Sequence, residues 1–272
     1  MRSVKIKEVI DALERFAPLP LQEEYDNAGL QVGLTEAEVS GALLCLDVTE
    51  RVVDEAITKG CNLIVAHHPL IFRKLSQVTD ANYVQRTVIK AIKNDIVIVA
   101  MHTNLDAAFG GVNFKNAERL GLRDVRFFGR EKVVTNPLTD KKVTGGDGVI
   151  GCFDTPLAAD DLILLLKKEF DVECVQANEL LQREIQTVAL CGGSGSFLLQ
   201  DAINAGADAF ITGEMGYHEF FGHEQEIQLC VIGHYQSEQY TTEVLRDVIE
   251  RDCPGVKCCI SEINTNPIVY FS

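Results

Sequence analysis

Four of the six histidines in this 272-residue chain stand in three short motifs, each directly after an apolar run. His67-His68 follows NLIVA, His102-x-x-x-Asp106 follows DIVIVAM, and His234-x-x-x-Glu238 follows LCVIG. Imidazole nitrogen and carboxylate oxygen are the ligand atoms of zinc, iron, manganese and nickel sites. No cysteine stands at the three tips, which argues against a structural zinc knot. Successive side chains of a strand point to opposite faces, so His67 and His68 are not expected to serve one ion together. Two divalent ions side by side, each taking one imidazole, with Asp106 or Glu238 bridging, would resolve this. Metals about 3.5–4 Å apart form the two-ion clamp of many hydrolases and lower the pKa of water to about 7. Taken singly, a His-His pair reads as a satisfied core or surface pair, and one HxxxD is uninformative. The recurrence of the motifs at strand ends is what favours metal binding.

The elements that must position these motifs alternate between strand and helix. Ile6, Val9, Ile10, Leu13 and Phe16 recur at helical spacing. A strand over 41–47 leads to Thr49, which can cap a helix with Val52, Val53, Ala56 and Ile57 on its apolar face and Gly60 at its end. A strand at 62–66, a helix at 82–94 and a strand at 95–101 follow. This grammar predicts an α/β protein with a largely parallel sheet, whose ligands bind at the carboxyl ends of the strands. Residues 123–185 are less regular, with short strand-like pieces and a helix near 158–169.

The alternation resumes after 186 as an internal repeat. Residues 42–68 align without a gap on 188–214, so that Leu44 meets Leu190, Gly60 meets Gly206, and each half reads strand, capped helix, Gly, strand, polar tip. His102-x-x-x-Asp106 is echoed by His234-x-x-x-Glu238 at an offset of 132. The expected fold class is therefore α/β: two similar α/β domains related by an internal repeat, each with a mixed sheet flanked by helices. The first is expected over 1–125 plus about 235–272 and the second over 126–234, with the metal site between them.

Charge and cysteines narrow the function classes. Lys+Arg is 25 against Asp+Glu 40, a net charge of −15, which repels phosphate backbones and disfavours a dedicated nucleic-acid binder. No apolar run reaches the roughly 20 residues of a membrane helix, and the charged N-terminus reads as no secretory signal. Nine cysteines, several inside apolar runs and none in a CxxC, fit free thiols in a reducing cytoplasm. Cys258-Cys259 reads as two thiols at a strand end, with a vicinal disulfide as the alternative. The Gly192–Ser196 loop reads equally as an anion cradle or as a tight turn. Asp47 reads as a polar support for the site or as a turn ahead of the helix. His218 and His223, five apart, read as surface or subunit-contact residues on a helix.

EEYDNAGLQVG (23–33), CLDVTERVVDEAITKGCNLIVAHHPLIF (45–72), HTNLDAAFGGVN (102–113), CGGSGSFLLQDAINAGADAFITGE (191–214) and GHYQSE (233–238) together carry a resemblance. The chain resembles the Nif-three-like dinuclear-metal-centre family, also labelled GTP cyclohydrolase I type II homologues, over nearly its whole length. The resemblance implies two similar α/β domains, a toroidal homohexamer and two divalent metal ions per subunit (Zn, Fe, Mn or Ni). It matches the metal ligands to His67, His68, Asp106, His234 and Glu238, and places His102 in a catalytic or supporting role, with a ligand role left open. Tyr25 stands where the family usually has Trp, and Glu214 where it often has Asp; both keep the residue's character. The segment 123–185 is too short for the large inserted domain of some members. The function this implies is metal-dependent hydrolysis of a nucleotide or phosphorylated small molecule, of the GTP cyclohydrolase type. A non-enzymatic metal-handling or regulatory ring is the alternative.

Overall fold

The computed structural model describes residues 3–271. In chain order the elements are α1 (Ile6–Phe16), β1 (Gly29–Val32), β2 (Ala42–Cys45), α2 (Glu50–Lys59), β3 (Leu63–Ala66), α3 (Tyr83–Lys93), β4 (Val97–Ala100), α4 (Thr103–Asp106), α5 (Val112–Arg119), β5 (Arg123–Thr135) and β6 (Lys142–Leu157). There follow α6 (Ala159–Glu169), β7 (Gln176–Ala177), β8 (Ile185–Cys191), α7 (Leu199–Asn204), β9 (Ala209–Thr212), β10 (Gln228–Val231), α8 (His234–Glu238), α9 (Thr241–Asp252) and β11 (Cys258–Ile260). They group into two compact units. One comprises Met1–Ala108, Val134–Val143 and Thr241–Pro267; the other comprises Phe109–Val133, Thr144–Tyr240 and Ile268–Ser272.

The first unit holds a five-stranded sheet in the order β1-β4-β3-β2-β11, parallel except for β1. Strands β2, β3 and β4 are buried at every residue. That is why they read as unbroken apolar runs: a parallel strand covered on both faces has no polar side to show. Helix α2 starts where Thr49 accepts a hydrogen bond from the Val52 N–H and ends at Gly60, whose φ of 69° is left-handed. Val52, Val53 and Ala56 pack with Leu43, Ile64 and Ile98 in the core.

The second unit holds a six-stranded mixed sheet in the order β5-β6-β8-β9-β10-β7. Its strands β8, β9 and β10 are parallel, with β6 antiparallel to β8 and β7 antiparallel to β10. The repeat survives at the level of strand pairing. Ala42 pairs with Leu63 and Leu44 with Val65; their aligned counterparts pair alike, Val188 with Ala209 and Leu190 with Ile211.

Four expectations change. The second copy's capped helix is a 3₁₀ turn (Ser196–Leu198) followed by the short α7. Gly195 stands where the first copy has Thr49, so no side chain is available to cap. The offset of 132 for the second echo is one residue too long. Ala100 and Val231 hold equivalent positions in the two ladders, and the equivalent of His102 is Gly233, each the N-cap of its short helix. The short strand pieces after 123 are the long strands β5 and β6, of 13 and 16 residues. His218 lies in a 3₁₀ turn rather than a longer helix, and His223 pairs with Glu226 through Nδ1 at 2.8 Å. All nine cysteines are free thiols, Cys258 and Cys259 included. Among the described residues, no helix is long and apolar enough to cross a membrane.

Candidate metal centre

Parallel register assembles the first set of side chains. Cys45, Ala66 and Ala100 are neighbours across β2, β3 and β4. Two residues beyond each stand Asp47, His68 and His102, in one row at the carboxyl edge of the sheet. His67 and His68 have left β3, and their rings lie 4.9 Å apart. The expectation that they diverge to opposite faces is therefore corrected: strand alternation stops applying once the strand ends. The His102 ring is 5.3 Å from that of His67 and 5.4 Å from that of His68. One ligand atom from each of the three imidazoles falls within 4.8 Å of the others, a group that could hold a metal ion. Asp106, one turn along α4, brings Oδ1 to 3.6 Å from His67 Nε2.

Each imidazole is oriented through Nδ1. His67, fully buried, contacts the Met101 carbonyl at 2.8 Å. His68 contacts Asp47 Oδ1 at 2.7 Å, and His102 contacts Asp26 Oδ1 at 2.7 Å. A carbonyl or carboxylate oxygen only accepts, so Nδ1 carries a proton and Nε2 is the ring nitrogen that a metal would take. This is the arrangement by which metal-ligating histidines are held elsewhere. Burial works to raise the Asp26 pKa, but hydrogen bonds from His102 and Thr103 outweigh it and bring the carboxyl down to about 2. Asp47 is likewise held below the ordinary carboxylate range, burial being outweighed by His68 and Thr265. Both acids stay ionised through the neutral range.

The second unit carries its own set. His234 opens α8 and contacts Glu214 Oε1 through Nδ1 at 2.9 Å. Its Nε2 lies 3.1 Å from Oε2 of Glu238, one helical turn on and buried. A hydrogen bond from Ser194 is the main cause that keeps the Glu214 pKa down, against burial and with help from His234. Glu214 is the repeat counterpart of His68. The same edge position thus carries a candidate ligand in one copy and orients an imidazole in the other.

The glycine loop after β8 resolves into a tight turn. The N–H of Gly192 is bound to Asn113 Oδ1, that of Gly193 to Ser237 Oγ and that of Gly195 to Thr212 Oγ1. Those three donors serve the protein itself rather than an anion. Gly193, with φ of 59°, makes room for a ligand candidate: a Cβ there would lie 2.3 Å from Glu238 Oε1.

Of the sequence-predicted residues, His67, His68, His102 and Asp106 come together in the first unit, and His234 and Glu238 in the second. The donor set of imidazoles and carboxylates suits zinc, iron, manganese or nickel. Sequence reasoning missed Asp26, which the fold brings across 76 positions to His102, and the orienting roles of Glu214 and Thr265. No spacing rule links residues that meet only through a loop or through a neighbouring strand.

Comparison with known proteins identifies the family. The model of the Duf34/NIF3 (NGG1p interacting factor 3) family matches residues 4–267. A protein of Clostridium perfringens named GTP cyclohydrolase 1 type 2 homolog is 34% identical over 271 residues, covering 98% of this chain and all of that one. One of the same name from Clostridium acetobutylicum is 32% identical over 250 residues, covering 91% and 90%. Among solved structures, a hypothetical protein of Staphylococcus aureus matches at a TM-score of 0.88 with 28% identity, covering 99% of this chain and 100% of that one. A Bacillus cereus protein related to NIF3 matches at 0.86 with 25% identity over the full length of both. On a match that spans nearly every residue, the chain belongs to the Duf34/NIF3 family.

Proposed function

We propose that this protein is a metal-dependent hydrolase with a dinuclear centre held by His67, His68, Asp106, His234 and Glu238, and that the two sets of donors act on one pair of divalent ions. The observation that carries this reading is the common anchoring of four strand-end imidazoles through Nδ1, which presents Nε2 as the ring nitrogen a metal would take at His67, His68 and His234. Five ligands exceed what one four-coordinate ion takes, which favours two ions. When bound, such ions polarise a substrate oxygen and make water a nucleophile near neutral pH.

The chain's own residues supply the rest. Met101, Asp47 and Glu214 hold the ligating imidazoles in one tautomer. His102, whose Nδ1–H is fixed by ionised Asp26, offers Nε2 to take a proton from the attacking water. The substrate class is a nucleotide or phosphorylated small molecule, on the likeness to proteins named GTP cyclohydrolase 1 type 2 homolog. A cytoplasmic setting agrees with nine free thiols, and the family likeness extends the proposal to a toroidal homohexamer.

The test is to strip the purified protein, restore Mn, Zn, Fe or Ni in turn, count bound ions per chain by elemental mass spectrometry, and screen nucleotides and phosphoesters. Two ions per chain with metal-dependent turnover support the reading. Metal uptake without turnover on any substrate favours a metal-handling or regulatory role. No metal uptake refutes the centre. Sedimentation as a stable monomer refutes the ring.

A further inference from the structure

The carboxylates that orient the imidazoles are themselves held, each by a hydroxyl on its other oxygen. Thr103 Oγ1 donates to Asp26 Oδ2 at 2.5 Å, Ser194 Oγ to Glu214 Oε2 at 2.5 Å, and Thr265 Oγ1 to Asp47 Oδ2 at 2.7 Å. Thr103 and Ser194 adjoin the strand-end motifs. Thr265 comes from the stretch after β11, 218 positions from Asp47.

That stretch is anchored along its length. The Ser261 N–H donates to the Leu44 carbonyl at 2.8 Å, continuing the ladder beyond β11. Ser261 Oγ and the Glu262 N–H each take one carboxylate oxygen of Glu55 on α2, and Lys59 joins Glu262 at 2.9 Å. Ile263 packs against the core. Thr265 therefore stands at a fixed place over the edge of the sheet.

The plane of a carboxylate turns about a soft, two-fold torsion. The Asp47 side chain is 35% exposed, so water competes for its oxygens. A hydroxyl on Oδ2 fixes that plane and keeps Oδ1 on His68 Nδ1. We infer that Thr265 is a positioning residue of the metal centre: through Asp47 it holds His68 with Nε2 aimed to ligate, which makes the segment after β11 a working part of the site. This rests on the dinuclear reading above. Replacing a group that touches a ligating imidazole weakens metal binding about 10–100-fold. Thr265 acts one contact further out, and a loss of about 3–10-fold is expected.

The test uses the full chain with Thr265→Val, which keeps the shape and removes the hydroxyl, and Thr265→Ser, which keeps the hydroxyl. Stripped proteins are titrated with Zn²⁺ against a chromophoric chelator, and thermal melting of the metal-free forms is followed in parallel. The expected result is weaker Zn²⁺ binding by Thr265→Val alone, with Thr265→Ser close to the parent chain. Equal affinity in all three overturns the inference and leaves the metal centre standing. Equal weakening in both variants also overturns it, because the hydroxyl is then not the agent. Failure of the parent chain to bind Zn²⁺ or, titrated in its place, Mn, Fe or Ni overturns the centre and the inference together.

Discussion

Replacing Gly193 with alanine separates backbone strain from damage to the site. Gly193 and Gly206 both have left-handed backbones, with φ of 59° and 75°. A Cβ on Gly206 meets nothing within 4 Å, so Gly206→Ala carries only the conformational cost, about 1 kcal/mol. A Cβ on Gly193 carries the same cost and also sits 2.3 Å from Glu238 Oε1 and 3.5 Å from His234 Cε1. An ordinary contact needs about 1 Å more, and the Glu238 carboxylate, at the end of a side chain, is what gives way. The stability losses of the two variants should therefore be similar, about 1–2 kcal/mol. Their metal affinities should differ sharply. Displacing a ligating carboxylate by about 1 Å should cost at least the 100-fold seen for groups one contact removed, about 2.7 kcal/mol. Thermal melting of the stripped proteins and chelator competition measure the two quantities separately. If Gly193→Ala binds metal as tightly as Gly206→Ala, Glu238 is not a ligand and the second half of the proposed centre is wrong.

Three further outcomes are expected. His102→Asn should retain both ions by elemental analysis while losing metal-dependent turnover about 10²–10⁴-fold; loss of an ion instead would make His102 a ligand. Asp208 accepts from the Gln186 and Thr187 N–H groups at 3.0 and 2.8 Å and pairs with Arg183. These contacts outweigh burial and lower its pKa. The sign follows: its contribution is present above the unfolded-chain value of about 3.9 and fades as pH falls through the lower folded value. Asp208→Ala should cost about 2 kcal/mol at neutral pH, and acid melts of parent and variant should converge; a constant difference down to pH 2 would refute the assignment. Thr49→Ala should cost about 1 kcal/mol by urea denaturation, through loss of the α2 cap, whereas Gly195, its repeat counterpart, makes no side-chain cap to lose.

The residues alone showed the strand runs, the capped helix between Thr49 and Gly60, the repeat of 42–68 in 188–214, and the six histidines and carboxylates expected just past the strands. These are local or periodic: apolar runs mark strands covered on both faces, cap residues mark helix ends, and polar residues just past a strand reach the edge where parallel sheets bind ligands. Tertiary structure alone decided what those donors touch. That His67 and His68 turn toward each other depends on where β3 stops. That the echo of His102 falls on Gly233 depends on sheet register, which no residue spacing records. The glycine loop's N–H groups are consumed by Asn113, Ser237 and Thr212, all contributed by other elements. Asp26 and Thr265 come to the site from loops 76 and 218 positions away from their partners. Hydrogen bonds act over about 3 Å, and only the folded chain brings such distant residues that close.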